Sequence, residues 1–374
     1  MVLGILKEES GENRVAMLPE HVIALLKLNV SVLVENEAGH AAAAPNKNYS
    51  ESGATLCSRE ELINKADVLI CINLPSPELI GKIPSGKVIV GGLNPLSNKN
   101  SMNLLASAGI SAFSLDFIPR TSRAQSMDIL SSMATIAGYK AVLDAATKLP
   151  RFFPMFMSAA GTIKPAKVLI LGAGVAGLQA IAVSRKLGAI VEVFDVRAAV
   201  KDEVKSLGGK FIEVEGARDE AAAGGYAVDQ SEEFKARQRQ LIHDHAKNAD
   251  IVICTAQIPG KKAPVLLQKQ TVEEMRPGSV VIDLAASSGG NCEVTVDKQT
   301  IFHNQVMVVG KSTYPSEMPF DASKMFGNNL LNFLKLMIEK DGQLNLNFED
   351  DLVKGTCITH QGAVVNERYK QLAG

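Results

Sequence analysis

Val168-Leu169-Ile170-Leu171-Gly172-Ala173-Gly174-Val175-Ala176-Gly177 decides how this chain folds. Its first four apolar residues read as a buried strand, and they run straight into G-x-G-x-x-G. A helical pattern continues to about Leu187, and a second strand, 191–194, ends at Asp195, 23 residues after Gly172. Gly172 permits the tight turn, Gly174 lets a pyrophosphate approach the backbone, and Gly177 lets helix and strand pack closely. The helix N-terminus offers unpaired N–H groups and the positive end of its dipole to phosphates. A carboxylate at the tip of the second strand accepts both ribose hydroxyls of adenosine and repels a 2′-phosphate, which favours NAD(H) over NADP(H). Arg197 pulls the other way, because a nearby arginine accommodates a 2′-phosphate. The alternative is a glycine-rich turn without a ligand, and the order of strand, helix, second strand and acid weighs against it.

Working outward, residues 167–309 alternate strand and helix patterns, with strands expected at 168–171, 191–194, 210–212, 251–254, 280–283 and 306–309. Residues 2–115 repeat the alternation, with strands at 2–5, 30–34, 68–72, 88–90 and 110–115 and a helix at 19–28 with Pro19 in its first turn. Short buried strands separated by helices argue for parallel sheets. Long helical patterns at 126–148 and 321–339 are each able to bridge two domains, and a hairpin is expected at 357–365 around His360-Gln361-Gly362. The expected fold is α/β, with two Rossmann-like doubly wound parallel-sheet domains separated by a cleft and joined by long helices. Residues 1–128 with 320–374 would form a Rossmann-like domain without its own dinucleotide site, and residues 129–319 the NAD(H)-binding domain.

Composition narrows the function. Of 374 residues, 39 are Lys or Arg and 40 are Asp or Glu, and no dense basic stripe invites nucleic acid. Five scattered cysteines form no C-x-x-C pair, and the six histidines form no H-E-x-x-H, so neither a disulfide framework nor a metal site is expected. The N-terminus turns charged at once and does not read as a signal peptide. The longest apolar run, 168–183, holds three glycines and a Gln, and no segment reaches the roughly 20 apolar residues of a membrane span. No direct membrane insertion and a cytoplasmic location are expected. There is no internal repeat.

Three further segments carry chemistry. Residues 119–132, Pro-Arg-Thr-Ser-Arg-Ala-Gln-Ser-Met-Asp-Ile-Leu-Ser-Ser, are dense in groups that bind amides and phosphates. A helix start capped by Ser126 or Asp128, with solvated arginines, explains them as well. Residues 216–231 are rich in small residues, with Gly224-Gly225 as hinge and Tyr226 as the one large group nearby; a lid with an aromatic tip and a plain surface loop are both open. Ala256-Gln257-Ile258-Pro259-Gly260 follows a strand and either borders a ligand or turns the chain.

At these residues the chain resembles the alanine dehydrogenase/nicotinamide nucleotide transhydrogenase family. The resemblance rests on Gly4-Ile5-Leu6-Lys7-Glu8 through Asn13-Arg14-Val15-Ala16 and Pro19, and on Leu169 through Asp195. The stretch from Arg120 to Ser132 is similar to the transhydrogenase branch. The resemblance implies NAD(H) in the cleft, a homodimer, a partner component that binds NADP(H), and a membrane-spanning component that translocates protons, with this chain held on the cytoplasmic side through its partners. It implies direct hydride transfer between the two dinucleotides. By the same resemblance, Gly172, Gly174 and Gly177 match the pyrophosphate turn, Val175 a cofactor contact, and Asp195, Val196 and Arg197 the adenosine-ribose end. Gln125, Ser126, Met127 and Asp128 match the nicotinamide side, with Arg120 and Ser131 beside them. Gly225, Tyr226 and Gln238 match a mobile loop and its flank, and Gln257 falls at a contact position where another side chain is usual.

Departures separate the relatives. The amino-acid dehydrogenases carry a Lys where this chain has Asn73, within Ile70-Cys71-Ile72-Asn73-Leu74-Pro75, and a His where it reads Gly91-Gly92-Leu93. Making and breaking an imine requires proton transfers, whereas hydride exchange between two nicotinamides needs only stacked rings and excluded water. The expected roles are therefore positioning roles: Gln125 orients the nicotinamide, Arg120 and Asp128 brace its amide, and Tyr226 closes the site. A stand-alone alanine-type dehydrogenase would need another base, such as His21 or His40. A non-catalytic NAD(H) sensor is the third reading.

Overall fold

Strands without polar alternation are buried on both faces, and the two halves of this chain are built on such strands. The computed structural model describes residues 1–214, 231–258 and 260–373. The chain divides into two units, Met1–Met133 with Pro315–Gly374, and Ala134–Tyr314.

The first unit contains β1 (Val2–Ile5), β2 (Ser31–Glu35), β3 (Thr55–Cys57), β4 (Val68–Asn73), β5 (Val88–Gly92) and β6 (Ser111–Ser114), parallel in the order β3-β2-β1-β4-β5-β6. In β4, Val68, Ile70 and Ile72 enter one core layer while Leu69 and Cys71 enter the other.

In the second unit the first strands are a hairpin of β7 (Phe156–Ser158) and β8 (Gly161–Ile163). Its sheet comprises β9 (Lys167–Leu171), β10 (Ile190–Phe194), β11 (Lys210–Ile212), β12 (Ile251–Cys254), β13 (Val280–Asp283), β14 (Thr300–His303) and β15 (Val306–Gly310), in the order β11-β10-β9-β12-β13-β15-β14. Only β14, at the edge, runs antiparallel to its neighbour. Val168 and Ile170 face one core layer, Leu169 and Leu171 the other. Near the C-terminus, β16 (Cys357–His360) and β17 (Ala363–Val364) return to the first unit and extend its sheet antiparallel to β6.

Both sheets are doubly wound. In each, the strand order reverses beside the first strand, between β1 and β4 and between β9 and β12. Ligands of such sheets bind outside the carboxyl ends of the strands at that reversal.

Several boundaries differ from the sequence reading. The helix expected over 126–148 is Ile129–Lys148, preceded by a 3₁₀ segment, Ser122–Met127. Asp128 stands between them in an extended conformation and caps the helix, which delays its start. The helix expected over 321–339 is Pro319–Leu334 and lies wholly within the first unit. Of the two helices expected to join the units, only Ile129–Lys148 carries the chain across the boundary. Strands β3, β7, β8 and β14 were not legible, being short or, in the hairpin, exposed at every position. The 357–365 hairpin forms, and its turn residues Gln361 and Gly362 both have positive φ, as a tight hairpin turn requires.

One close approach in the second unit admits only glycine. A Cβ on Gly138, in the helix Ile129–Lys148, would stand 2.1 Å from the carbonyl oxygen of Ala176. Gly138→Ala is expected to destabilise by about 1–3 kcal/mol, the usual cost of overpacking. Urea unfolding followed by circular dichroism checks this, and an unchanged midpoint would contradict it.

Candidate functional site

The carboxyl end of β9 carries the glycine turn. Gly172 has φ +104°, a conformation that disfavours any side chain. A Cβ on Gly177 would lie 1.9 Å from the Gly172 carbonyl oxygen, so helix and turn meet backbone to backbone. A Cβ on Gly174 meets no atom within 4 Å, so that face of the turn is open. Gly174 is the N-cap of the helix Val175–Lys186, and Val175 at its first position is exposed. Thr255, just beyond β12, donates its hydroxyl to the carbonyls of Gly172 (2.9 Å) and Leu171 (3.2 Å) and fixes the turn from the other side of the strand reversal. An open backbone, a helix N-terminus and small residues suit an anionic pyrophosphate.

Asp195 follows β10 and points back at this turn. Its Oδ2 accepts the Ala173 N–H at 2.7 Å, and its Oδ1 accepts the Arg197 N–H at 2.9 Å. The Arg197 guanidinium adds two more bonds, from Nε to Oδ1 (2.9 Å) and from Nη2 to Oδ2 (2.7 Å). Arg197 and Asp195 thus form one fork-to-carboxylate pair. Val196 between them is half-buried.

Two loops beyond β12 and β13 are latched together. Buried Asp283 accepts the N–H groups of Ala285, Asn291 and Cys292 and the hydroxyl of Thr295. Burial pushes its carboxyl up from the ordinary carboxylate range, and these bonds oppose that rise. Asn291 then holds Ala256 by both its N–H (3.0 Å) and its carbonyl (2.8 Å). Gln257 is exposed and donates to the Leu284 carbonyl at 3.0 Å. Sequence reasoning missed Thr255, Asp283 and Asn291; an acid closing β13 ahead of Gly289-Gly290-Asn291 was the available signal.

In the first unit, the 119–132 stretch divides by role. Asp128 accepts the Ser131 N–H (3.0 Å) and hydroxyl (2.5 Å), which makes it the cap of the helix Ile129–Lys148. Arg123 pairs with Asp350 and Asp351, so it is a structural tie to the helix Asp351–Thr356. Met127 is buried in the core, so its side chain is not offered to a ligand. Arg120, Gln125 and Ser126 are exposed. The backbone beside Gln125 is anchored, because Asn329 and Asn332 both donate to the Ser126 carbonyl. In the second unit, Gln238 is buried on the helix Glu232–Ala246. Gly225 and Tyr226 lie outside the described residues.

The strand reversal of the first unit is filled differently. Beyond Leu6, which still pairs with Ile70, the Glu8 carboxylate takes over the ladder and accepts the N–H groups of Ile72 (2.6 Å) and Asn73 (3.1 Å). Asn73 donates its side-chain amide to Glu12 at 3.1 Å, and Glu12 is doubly bonded to Arg14. Burial lifts the Glu8 carboxyl to about 7, with the nearby Glu12 charge adding to it. Burial also works against the Glu12 charge, but the Arg14 guanidinium and the Asn73 amide outweigh it and bring Glu12 down to about 2. An anion in this crevice would meet carboxylates, where the second unit offers open N–H groups. The two histidines considered as bases are otherwise engaged or placed. His21 is buried and accepts the Leu18 N–H through Nδ1 at the start of the helix Pro19–Leu26, and His40 is exposed beside Glu37.

The fold and site define an α/β protein with two doubly wound sheets, one of which carries a glycine turn suited to a dinucleotide. The family model Alanine dehydrogenase/PNT, N-terminal domain, matches residues 4–137, and Alanine dehydrogenase/PNT, C-terminal domain, matches residues 141–367; the chain belongs to the alanine dehydrogenase/PNT family. It is 44% identical over 376 residues to the first part of the NAD(P) transhydrogenase alpha subunit of Rhodospirillum rubrum, covering 98% of both chains. It is 42% identical over 365 residues to the NAD(P) transhydrogenase alpha subunit of Haemophilus influenzae, covering 97% of this chain and 71% of that one. A transhydrogenase structure from Sinorhizobium meliloti superposes with a TM-score of 0.87 at 38% identity, covering 98% of this chain and 100% of that one. Among the described residues no helix is long and apolar enough to cross a membrane.

The Glu8 carboxyl titrates near 7 in the folded chain and near 4.5 unfolded. The folded state therefore holds this proton more tightly, and the group's stabilisation is complete below about 4.5 and fades as pH rises through 7. Between pH 4.5 and 7.5, unfolding free energy should shift in favour of Glu8→Gln over the parent by on the order of 1–3 kcal/mol. Parallel urea-unfolding profiles across that range would contradict the assignment.

Proposed function

We propose that this chain binds NAD(H) and exchanges hydride directly with NADP(H) held by a partner component, while a membrane-spanning component couples the exchange to proton translocation. In this reading the pyrophosphate sits at Gly172, Gly174 and Gly177 with Val175 beside it, and the adenosine ribose sits at Asp195, Val196 and Arg197. When bound, NADH supplies a hydride from its nicotinamide ring. Gln125 orients that ring, and its exposure on an anchored backbone suits the task. Asp128, tied to Ser131, gives the segment its shape and braces the amide together with Arg120. Ser126, Gly225, Tyr226, Gln238 and Gln257 complete the contacts that the family resemblance assigns, with Met127 contributing through its backbone.

The observation that carries the reading is at the ends of β4 and β5. Asn73 is bonded between carboxylates there, and β5 ends in Gly91-Gly92, so these positions offer no Lys or His to move a proton. Hydride exchange between two nicotinamides needs none; amino-acid oxidation does. One feature favours the alternative of a stand-alone dehydrogenase: Glu8 titrates near 7 at the same place. Both its oxygens, however, are held by main-chain N–H groups.

In this reading the homodimer would form through the second unit's hairpin. Phe152 stacks on Phe156 at 4.8 Å, and Met155, Met157 and Ile163 stand exposed beside them, an apolar group that a homodimer would cover. The assembly would lie on the cytoplasmic side of a membrane, attached through its partners.

Mixing the purified chain with an NADP(H)-binding transhydrogenase component should give hydride transfer between dinucleotide analogues. Tight assembly without transfer would refute the reading, as would alanine- or pyruvate-dependent NADH turnover by this chain alone. Gln125→Asn is expected to slow transfer severely while NADH affinity stays within a few-fold; a large loss of binding instead would give Gln125 a role in affinity only.

A further inference from the structure

We propose that Asn329 and Asn332 are positioning residues for hydride transfer, which hold Gln125 in one orientation through the main-chain carbonyl of Ser126. The inference rests on the hydride-transfer reading above and gives a role to residues outside the contacts that reading assigns.

Asparagine is a weak helix former, because its amide competes for main-chain groups. The helix Pro319–Leu334 nevertheless carries three in its second half, Asn328, Asn329 and Asn332, among the buried Phe326, Leu330, Leu331 and Phe333. Asn328 meets the His21 ring at 3.2 Å. Asn329 and Asn332, three positions apart and so on one face, both donate to the Ser126 carbonyl, at 2.9 and 3.2 Å. A carbonyl oxygen has two lone pairs, and one with a donor on each is fixed in direction as well as in place. Ala124 and Met127, on either side, are buried in the same core layer as that helix. Gln125 therefore stands between fixed points, with its side chain exposed and its backbone held before and after.

Stability alone does not account for Asn329. The residue is buried, and its Oδ1 has no hydrogen-bond partner among the described residues. An orphaned acceptor in a core costs stability that an apolar residue would not. The donor end of the amide is the useful end, because it fixes the strip of main chain that carries Gln125. A nicotinamide that must meet a second ring at near-attack distance tolerates little error, since a misplacement of about 1 Å costs up to about 100-fold in rate. A purely structural tie predicts otherwise: its loss would lower stability and leave the rate of transfer unchanged in molecules that remain folded.

The test compares the parent chain, Asn329→Leu, Asn332→Ala, Gln125→Asn, and each asparagine variant combined with Gln125→Asn. Single-turnover hydride transfer is measured with the NADP(H)-binding component, NADH affinity by calorimetry, and stability by the urea midpoint. Asn329→Leu should slow transfer by about ten-fold or more while NADH affinity stays within about three-fold. Its midpoint should not fall, because the orphaned oxygen is gone and Ser126 keeps the Asn332 donor. Asn332→Ala, at a half-buried position, should slow transfer by about five-fold, and it carries the test alone should the bulkier leucine fail to fold. Added to Gln125→Asn, either substitution should slow transfer by less than about two-fold more, because both act through the same orientation. Transfer at the parent rate, losses that multiply with that of Gln125→Asn, or a slowing that follows weaker NADH binding would each overturn the proposal and leave the hydride-transfer reading standing. A parent chain that binds NADH and assembles but transfers no hydride would overturn that reading, and this proposal with it.

Discussion

The carbonyl of Gly172 is the point on which the second unit's site depends. Gly177 packs against it with no room for a methyl group, and Thr255 donates a hydroxyl to it from the far side of the strand reversal. Those two contacts bring the helix Val175–Lys186 onto the end of β9 so closely that its N-terminus meets the turn at the open face of Gly174. The latch from Asp283 through Asn291 to Ala256 holds the loop that carries Thr255. A corner suited to an anion results from packing and main-chain groups.

The first unit shows what happens to the same sheet order without that packing. Over their first five strands the two sheets follow the same sequence of neighbours, and the first unit's reversal also falls beside its first strand. There the side chain of Glu8 continues the hydrogen-bond ladder past Leu6 and occupies the crevice with a carboxyl group. Fold is shared, and the residues placed at the reversal decide which unit can receive a phosphate. Glu12 and Arg14 neutralise one another beside it, and Asn73 joins the two carboxylates.

Much of this is legible in the sequence itself. β9, β12 and β13 are near-continuous apolar runs bounded by turn residues, and β10 is broken only by Glu192; their identity follows from the buried apolar positions. The glycine turn is legible because each glycine answers a separate steric demand. The hairpin of β7 and β8 is not, since none of its residues is buried and no period marks it. Within the 119–132 stretch, a run of polar residues could not separate roles: Arg123 is spent on Asp350, and Asp128 on a helix start, while Gln125 stays exposed. For Arg123 that role depends on a partner 227 positions away in the chain. The clasp of Arg197 on Asp195 is equally hidden; two opposite charges two residues apart read as competing signals until their geometry shows them bonded.

Direct passage of hydride from one nicotinamide to another, with no proton shuttle on this chain, leaves an isotopic signature. The most direct test uses NADH deuterated at both hydrogens of its reactive carbon. It is mixed with this chain, the NADP(H)-binding component and NADP⁺, and the NADPH formed is analysed by mass spectrometry. Direct transfer predicts one deuterium in every NADPH formed and none released to water. Unlabelled NADPH, or deuterium appearing in the solvent, would contradict it.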